Sequence, residues 1–315
     1  MSEFNLGVVI PVGAGREENI NAALHHLSAA PLVRAVILVL DGMDVAAPHV
    51  PHPMTSRCPV YMITGTKHEP GMESPRNLGV RHLFHKHPQL THIWFLDSDV
   101  LVDPLCPVEY AKAAFHEAGM DSILLGPYEW LPPGQREPTP DLHNDPRWAM
   151  FNQRKHERLI AELGVALGCF SGNLVWPIKQ FIDVGGFHPM LHHGRCEDGE
   201  LGLRAASYQI PMTLVPEARG YHLYHPVNLQ LVYERNARDV PLLNAWHPWV
   251  RPVHEGGLGL IVTQEEGARF EYRCDCGKLV NVGEMWAHMG SHERPFAGRK
   301  IEPVVLDMGD PLPHD

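Results

Sequence analysis

A chain of 315 residues with 44% hydrophobic content is long enough to bury one large core or two smaller ones, which excludes a disordered or fibrous protein. Its formal net charge of −11 excludes a protein that coats polyanions along its whole length, since that draws on clustered Lys and Arg. Six cysteines, four of them scattered singly, exclude a dense disulfide scaffold. The amino terminus lacks a basic stretch and Pro11 interrupts the first apolar run, so no secretory signal is read, and no apolar run reaches spanning length. The expectation is a cytoplasmic protein with no membrane span.

In chain order, strand-length apolar runs at Leu6 to Pro11, Ala35 to Leu40, Val60 to Thr64, His92 to Leu96 and Ser122 to Leu125 alternate with helical patterns at Glu17 to Leu27, Ser74 to His87 and Pro107 to Glu117. That alternation predicts a Rossmann-like α/β layout, a mostly parallel sheet with flanking helices. Leu131 to Pro146, with five prolines, predicts a long surface loop of the lid or binding type. A helix over roughly Arg147 to Leu163 is expected next, burying Trp148, Phe151, Leu159 and Ile160. Glycines after Val253 mark a composition change, and the boundary is placed there: residues 1–253 as one domain, 254–315 as a carboxyl-terminal module and tail.

In open α/β sheets ligands bind beyond the carboxyl ends of the strands, and several polar residues fall at such ends. Asp97-Ser98-Asp99 follows the apolar run Ile93 to Leu96. Two carboxylates there suit a divalent cation held against a diphosphate, while a solvated turn is the plainer alternative. Asp41 ends another strand, placed to accept hydrogen bonds from a base or ribose or merely to cap a turn. Ser74-Pro75 opens a helix with a cap and a proline at the first helical position. Arg76 and Asn77 then lie at the helix's positive end, where anions are favoured; an exposed, solvated Arg76 competes with that assignment. Gly185-Gly186-Phe187 leads to Glu197 and Asp198 at the start of a further helix, where a carboxylate in a cleft can serve as general base or simply suit the helix dipole. His222 and His225 bring two imidazoles to a late strand end.

Taken together, Val8-Val9-Ile10-Pro11-Val12, the strand-end Asp41, Pro75-Arg76-Asn77-Leu78-Gly79, Leu96-Asp97-Ser98-Asp99, Gly185-Gly186-Phe187 with Glu197-Asp198, and the late His-x-x-His resemble the GT-A fold glycosyltransferases of family 2. The resemblance is close to the branch that includes galactosyltransferase-like carboxyl halves, and it covers about Leu6 to Trp246. It implies a metal-dependent, inverting transfer of a sugar from a nucleoside-diphosphate sugar to an acceptor hydroxyl. It also implies that Pro11, Asp41, Arg76, Asn77 and Asp97 lie at the donor, that Asp99 with Asp97 and His222 or His225 binds Mn²⁺ or Mg²⁺, and that Asp198 is the base with Glu197 orienting the acceptor. One departure is visible: His193-Gly194-Arg195-Cys196 stands where that branch often carries Trp-Gly-Gly, which leaves the acceptor open. The nearest rival enzyme, a nucleotidyltransferase, calls for a Gly-rich, Lys-bearing loop that Gly13-Ala14-Gly15-Arg16 does not supply.

Towards the carboxyl end, Cys274-x-Cys276 and His288-x₃-His292 are eleven residues apart. Two thiolates and two imidazoles can close a tetrahedral Zn²⁺ site, so a small zinc-stabilised module resembling a Cys₂His₂ finger is expected; a subdomain with two unligated thiols is the alternative. From Arg269 to Lys300 there are six basic against four acidic residues, and elsewhere twenty against thirty-three. That contrast permits a DNA-facing module, but structural or protein-binding roles rank ahead of DNA contact. A second function class follows: a zinc-finger nucleic-acid- or protein-binding factor on a non-catalytic GT-A scaffold.

Overall fold

The computed structural model describes residues 3–42, 47–65, 74–139, 141–145, 148, 151, 158–160, 169–191 and 196–225, with short segments at 234–235, 238–239, 251–252, 260–261, 271–274, 279–281 and 301–304. The expected alternation is present: β1 (Leu6–Val12), α1 (Glu17–Ser28), β2 (Val33–Asp41), α2 (His52–Thr55), β3 (Val60–Gly65), α3 (Pro75–Lys86), β4 (His92–Leu96), β5 (Val100–Val102) and α4 (Cys106–Ala113). A π-helical turn over Ala114–Ala118 extends α4. Then come β6 (Ile123–Leu125), β7 (Tyr128–Trp130), β8 (Arg158–Ile160), β9 (Asn173–Pro177), α5 (Ile178–Asp183), α6 (Cys196–Ser207), β10 (Pro211–Leu214) and β11 (Gly220–His222).

Eight strands form one sheet in the order β3-β2-β1-β4-β9-β6-β10-β8. The first four are mutually parallel, β9 runs antiparallel between β4 and β6, and β8 closes the far edge antiparallel to β10. β1 reads Leu-Gly-Val-Val-Ile-Pro-Val and is buried throughout, as a central parallel strand with both faces covered must be. Successive side chains go to opposite faces: Leu6, Val8, Ile10 and Val12 join Ile20 and Leu24 of α1 in one core layer, and Val9 joins Val80 and Leu83 of α3 in the other. The mixed α/β class with a mostly parallel sheet is therefore as the sequence indicates. Among the described residues no helix is long and apolar enough to cross a membrane.

A smaller sheet, β5-β11-β7, was not foreseen. The two sheets are fastened by Asn173, wholly buried at the start of β9. Its Oδ1 accepts from Trp94 Nε1 at 2.9 Å and Tyr110 Oη at 2.8 Å; its Nδ2 donates to Pro127 O at 3.0 Å and Ala218 O at 2.8 Å. All four hydrogen-bonding positions of the amide are thus filled. Gly126 is needed beside it, because a Cβ there would stand 2.2 Å from Tyr110 Oη and 2.4 Å from Ala218 O.

The helix expected over Arg147 to Leu163 is corrected in its second half. Trp148 and Phe151 are helical and buried as anticipated, but Arg158–Ile160 is a strand paired with Pro211–Thr213. The open edge of β10 offers backbone partners there, and such tertiary pairing overrides local helical preference. The proline-rich loop is tied down at both ends. Glu129, on β7 and wholly buried, accepts from Asn144 N at 2.7 Å, Asp145 N at 3.1 Å and Trp148 Nε1 at 2.5 Å, and Asp145 Oδ2 accepts from Tyr128 N at 2.8 Å.

β12 (Arg251–Pro252) and β13 (Leu260–Ile261) pair antiparallel across position 253. Farther on, β14 (Glu271–Cys274) pairs antiparallel with β15 (Leu279–Asn281) and with β16 (Ile301–Val304) in a three-stranded sheet. Cys274 ends β14; Cys276, His288 and His292 lie outside the described residues.

Candidate functional site

The polar residues singled out at strand ends converge beyond the carboxyl end of β4. Asp97 N donates to Gly172 O at 3.3 Å, and Leu223 N donates to Asp99 O at 2.8 Å. The second of these bonds locates the metal candidates. β11 pairs antiparallel with β5 so that His222 faces Val100, the residue after Asp99. His222 Nε2 stands 3.5 Å from Asp99 Oδ1, and His225 Nε2 stands 3.4 Å from Asp99 Oδ2. The ligand atoms of Asp99, His222 and His225 all lie within 4.8 Å of one another. Asp99 is 6% exposed and His222 5%, so both are held by their surroundings rather than by solvent. Burial lowers the His222 pKa, against the raising effect of Asp99, which favours the neutral imidazole that can ligate. Tyr128 and Trp130 of β7 pack on its ring with centroids at 5.5 and 4.2 Å. One carboxylate and two imidazoles fit a first-row transition-metal ion such as Mn²⁺, which takes nitrogen ligands, better than Mg²⁺, which prefers oxygen and retained waters.

Asp97 stands apart from that cluster. Its Oδ1 accepts from Arg76 Nη2 at 2.5 Å, and Gly172 approaches its Oδ2 closely enough that a Cβ would lie at 3.0 Å. The sequence offered Asp97 both as a metal ligand and at the donor; its geometry fits a partner of Arg76 beside the site. Arg76 itself is 2% exposed, which corrects the alternative of a solvated first-turn arginine. Ser74 Oγ accepts from Arg76 N at 3.3 Å and so caps α3, and the guanidinium lies 5.4 Å over the Phe187 ring. Its Nη1 reaches Glu197 Oε1 at 3.9 Å, so one buried cation spans from the β4 end to the start of α6. Burying a charge is tolerable only when it is so paired.

Asn77 was expected at the donor; the structure turns its amide to the backbone of Phe187. Nδ2 donates to Phe187 O at 2.8 Å and Oδ1 accepts from Phe187 N at 2.9 Å. Gly186, at φ +67, must be glycine for this clasp, because its Cβ would lie 2.6 Å from Asn77 Oδ1. The clasp fixes the turn that precedes α6. Within α6, Glu197 and Glu200 are buried rather than solvated, and Glu200 is held by Arg204 through Nε at 2.8 Å and Nη2 at 2.5 Å. Asp198 is half-buried as a residue, yet its Oδ1 is out of solvent and has no hydrogen-bond partner among the described residues. Burial first, and then the Glu197 carboxylate, raise its pKa to about 8, with Arg76 opposing. A carboxyl with that affinity for protons is suited to accept one at near-neutral pH.

Pro11 is buried in β1 and Asp41 ends β2 opposite Gly65, both on the same sheet end. Sequence reasoning missed Arg16, whose Nη1 lies 3.0 Å from Asp99 Oδ2. It also missed Trp130 and Tyr128 around His222. Arg16's only signal was its place after a glycine-containing turn behind β1; the aromatics had none, because they sit on a sheet the sequence does not reveal.

Among solved structures, GalNAc-T7 with UDP, GalNAc and Mn²⁺ is similar at a TM-score of 0.50 and 13% identity, covering 70% of this chain and 44% of that one. S. aureus TarS is similar at 0.49 and 14%, covering 79% and 40%; TarS 1-349 in complex with UDP-GlcNAc is similar at 0.48 and 15%, covering 79% and 68%. The chain thus spans less than half the length of GalNAc-T7 and of full TarS. No family model and no curated protein matches it. The likeness to GalNAc-T7 shows a shared fold, the GT-A arrangement.

Proposed function

We propose that this protein is a metal-dependent, inverting glycosyltransferase that moves a sugar from a nucleoside-diphosphate sugar to an acceptor hydroxyl. The observation that carries the proposal is the presence, at one end of the sheet, of a cation-fit cluster (Asp99, His222 and His225) and a proton-accepting carboxyl, Asp198, with Arg76 paired to Asp97 and Glu197, the neighbours of Asp99 and Asp198 in the chain. The solved structure with UDP, GalNAc and Mn²⁺ supports a nucleotide-sugar donor, since it shares the fold.

In this proposal Asp99, His222 and His225 hold Mn²⁺, which when bound neutralises charge on the departing diphosphate. Asp41 and Pro11 border the nucleoside at the ends of β2 and β1. Arg76 keeps Asp97 and Glu197 in place rather than touching the donor, and Asn77 positions α6 through Phe187. Asp198 takes the acceptor's proton; the acceptor oxygen bonds to the anomeric carbon as the bond to the diphosphate breaks on the opposite face, which inverts that carbon. Glu197 holds Asp198 basic through repulsion and orients the acceptor. The Cys274, Cys276, His288 and His292 set remains a proposed Zn²⁺ module following the catalytic domain.

The test is a screen of nucleotide sugars with Mn²⁺, read by thermal stabilisation and slow hydrolysis, since a ligand that binds only the folded state raises its stability by mass action. Donors that stabilise are then offered glycans, hydroxyl-bearing peptides and duplex DNA with hydroxymethylated bases. Asp99→Asn is expected to lose Mn²⁺ and the donor's stabilising effect in Mn²⁺. Equal donor binding by wild type and Asp99→Asn in Mn²⁺, or no donor at all, refutes the proposal.

A further inference from the structure

We infer that Arg16 is an internal stand-in for the divalent cation: it neutralises Asp99 while the metal is absent and transfers to the donor's diphosphate when the metal binds. The inference rests on the glycosyl-transfer reading for the identity of the diphosphate, and on geometry alone for the competition with metal. Arg16 Nη1 lies 3.0 Å from Asp99 Oδ2, the oxygen that His225 also approaches at 3.4 Å. A cation seated among Asp99, His222 and His225 draws on that carboxylate, and like charges at such range repel strongly in a poorly hydrated setting. The guanidinium and the metal therefore exclude one another at Oδ2.

Where Arg16 goes next follows from its place in the chain. It is the residue before α1, its side chain makes no capping bond to that helix, and it is 29% exposed, whereas Asp99 is nearly closed off. The turn leading to it is roomy: a Cβ on Gly13 or Gly15 would meet nothing within 4 Å. Released from Asp99, Arg16 stands beside the amino end of a 12-residue helix, whose first N–H groups favour anions. The anion that accompanies the metal is the diphosphate, and a guanidinium binds two of its oxygens at once. Metal and diphosphate are thereby coupled through one side chain, since each favours the arginine position that the other needs.

The experiment measures Mn²⁺ binding by paramagnetic resonance on wild type, Arg16→Ala and Arg16→Lys. Binding of UDP, GDP, ADP, CDP and dTDP in saturating Mn²⁺ follows by calorimetry, with melting curves to check folding and Asp99→Asn as the control for the site. Arg16→Ala is expected to bind Mn²⁺ alone about three- to tenfold more tightly, the scale of a partly exposed ion pair removed. It is expected to bind the preferred diphosphate roughly tenfold more weakly, the scale of a charge-assisted hydrogen bond. Arg16→Lys, which keeps the charge, is expected to stay close to wild type in Mn²⁺ affinity. A merely structural Arg16 would move both affinities in the same direction or neither. Mn²⁺ affinity unchanged or weakened in Arg16→Ala overturns the stand-in role, and diphosphate affinity unchanged overturns the transfer. If no nucleoside diphosphate binds wild type in Mn²⁺, the glycosyl-transfer reading falls, while the Mn²⁺ measurement alone still decides the competition.

Discussion

Replacing Asp198 by Asn tests whether the protein holds a proton-hungry carboxyl at the start of α6. Between the ordinary value of 3.8 and the folded value of about 8, the unfolded chain has lost a proton that folded Asp198 retains. The unfolded state then binds fewer protons, so this residue's contribution to stability falls as pH rises through that window. Each tenfold change in acidity corresponds to about 1.4 kcal/mol, so the full window amounts to at most about 6 kcal/mol. Asn resembles the protonated carboxyl in shape and never ionises. The stability difference between Asp198→Asn and wild type should start near zero at pH 4, grow in the variant's favour with pH, and level off above pH 8. Urea unfolding of both proteins at five pH values between 4 and 9 measures it. In the same interval, wild-type transfer activity should climb toward a limb near pH 8 as the base ionises, and the variant should show no such limb because it has lost the base. Parallel stability curves for the two proteins, or a difference that shrinks with pH, would refute the assignment of Asp198 as a carboxyl shifted by burial and by Glu197.

Further outcomes concern the frame around the site. His92 is buried against Phe4; its Nε2 donates to Met120 O at 3.1 Å, which leaves Nδ1 of the neutral ring to accept from Thr91 Oγ1 at 2.9 Å. Burial lowers its pKa from 6.5 to about 4, so stability should be lost as pH falls across that interval, and His92→Phe should flatten that acid limb in chemical denaturation. Asn173→Leu leaves two buried donors and two buried carbonyls without their amide partner. It should destabilise by roughly 2–6 kcal/mol, counting a net 0.5–1.5 kcal/mol for each of the four bonds, and lower the melting temperature accordingly. Asn77→Ala opens the clasp on Phe187 and should weaken turnover more than donor binding, since the turn it releases is bonded to α6, the helix of Asp198, through Arg204 Nη1 and Val184 O; equal losses in kcat and KM effects, or none, would place Asn77 outside that role.

The sequence by itself determined the α/β class and most strand and helix positions in the first half, because those rest on local pattern: buried parallel strands are continuous apolar runs, and α3 carries its own cap in Ser74. It also determined which residue types stood at strand ends and helix starts. Asp97, Asp99, Asp198, His222 and His225 were legible as chemistry for that reason. What they do to one another was not. His222 meets Asp99 only because β11 pairs with β5, two strands of three residues whose alternation is too short to read in the chain. Arg76 is a buried bridge rather than a solvated anion binder because Asp97 and Glu197, 21 and 121 residues away, close on it. Arg16 reaches Asp99 across 83 residues, and Arg158–Ile160 became a strand because β10 offered it an edge. Local pattern fixes how each segment folds and which groups it carries to the end of the sheet. Which of them share a proton, a cation or a charge is decided by contacts between segments far apart in sequence, where burial makes an unpaired charge too costly to leave alone.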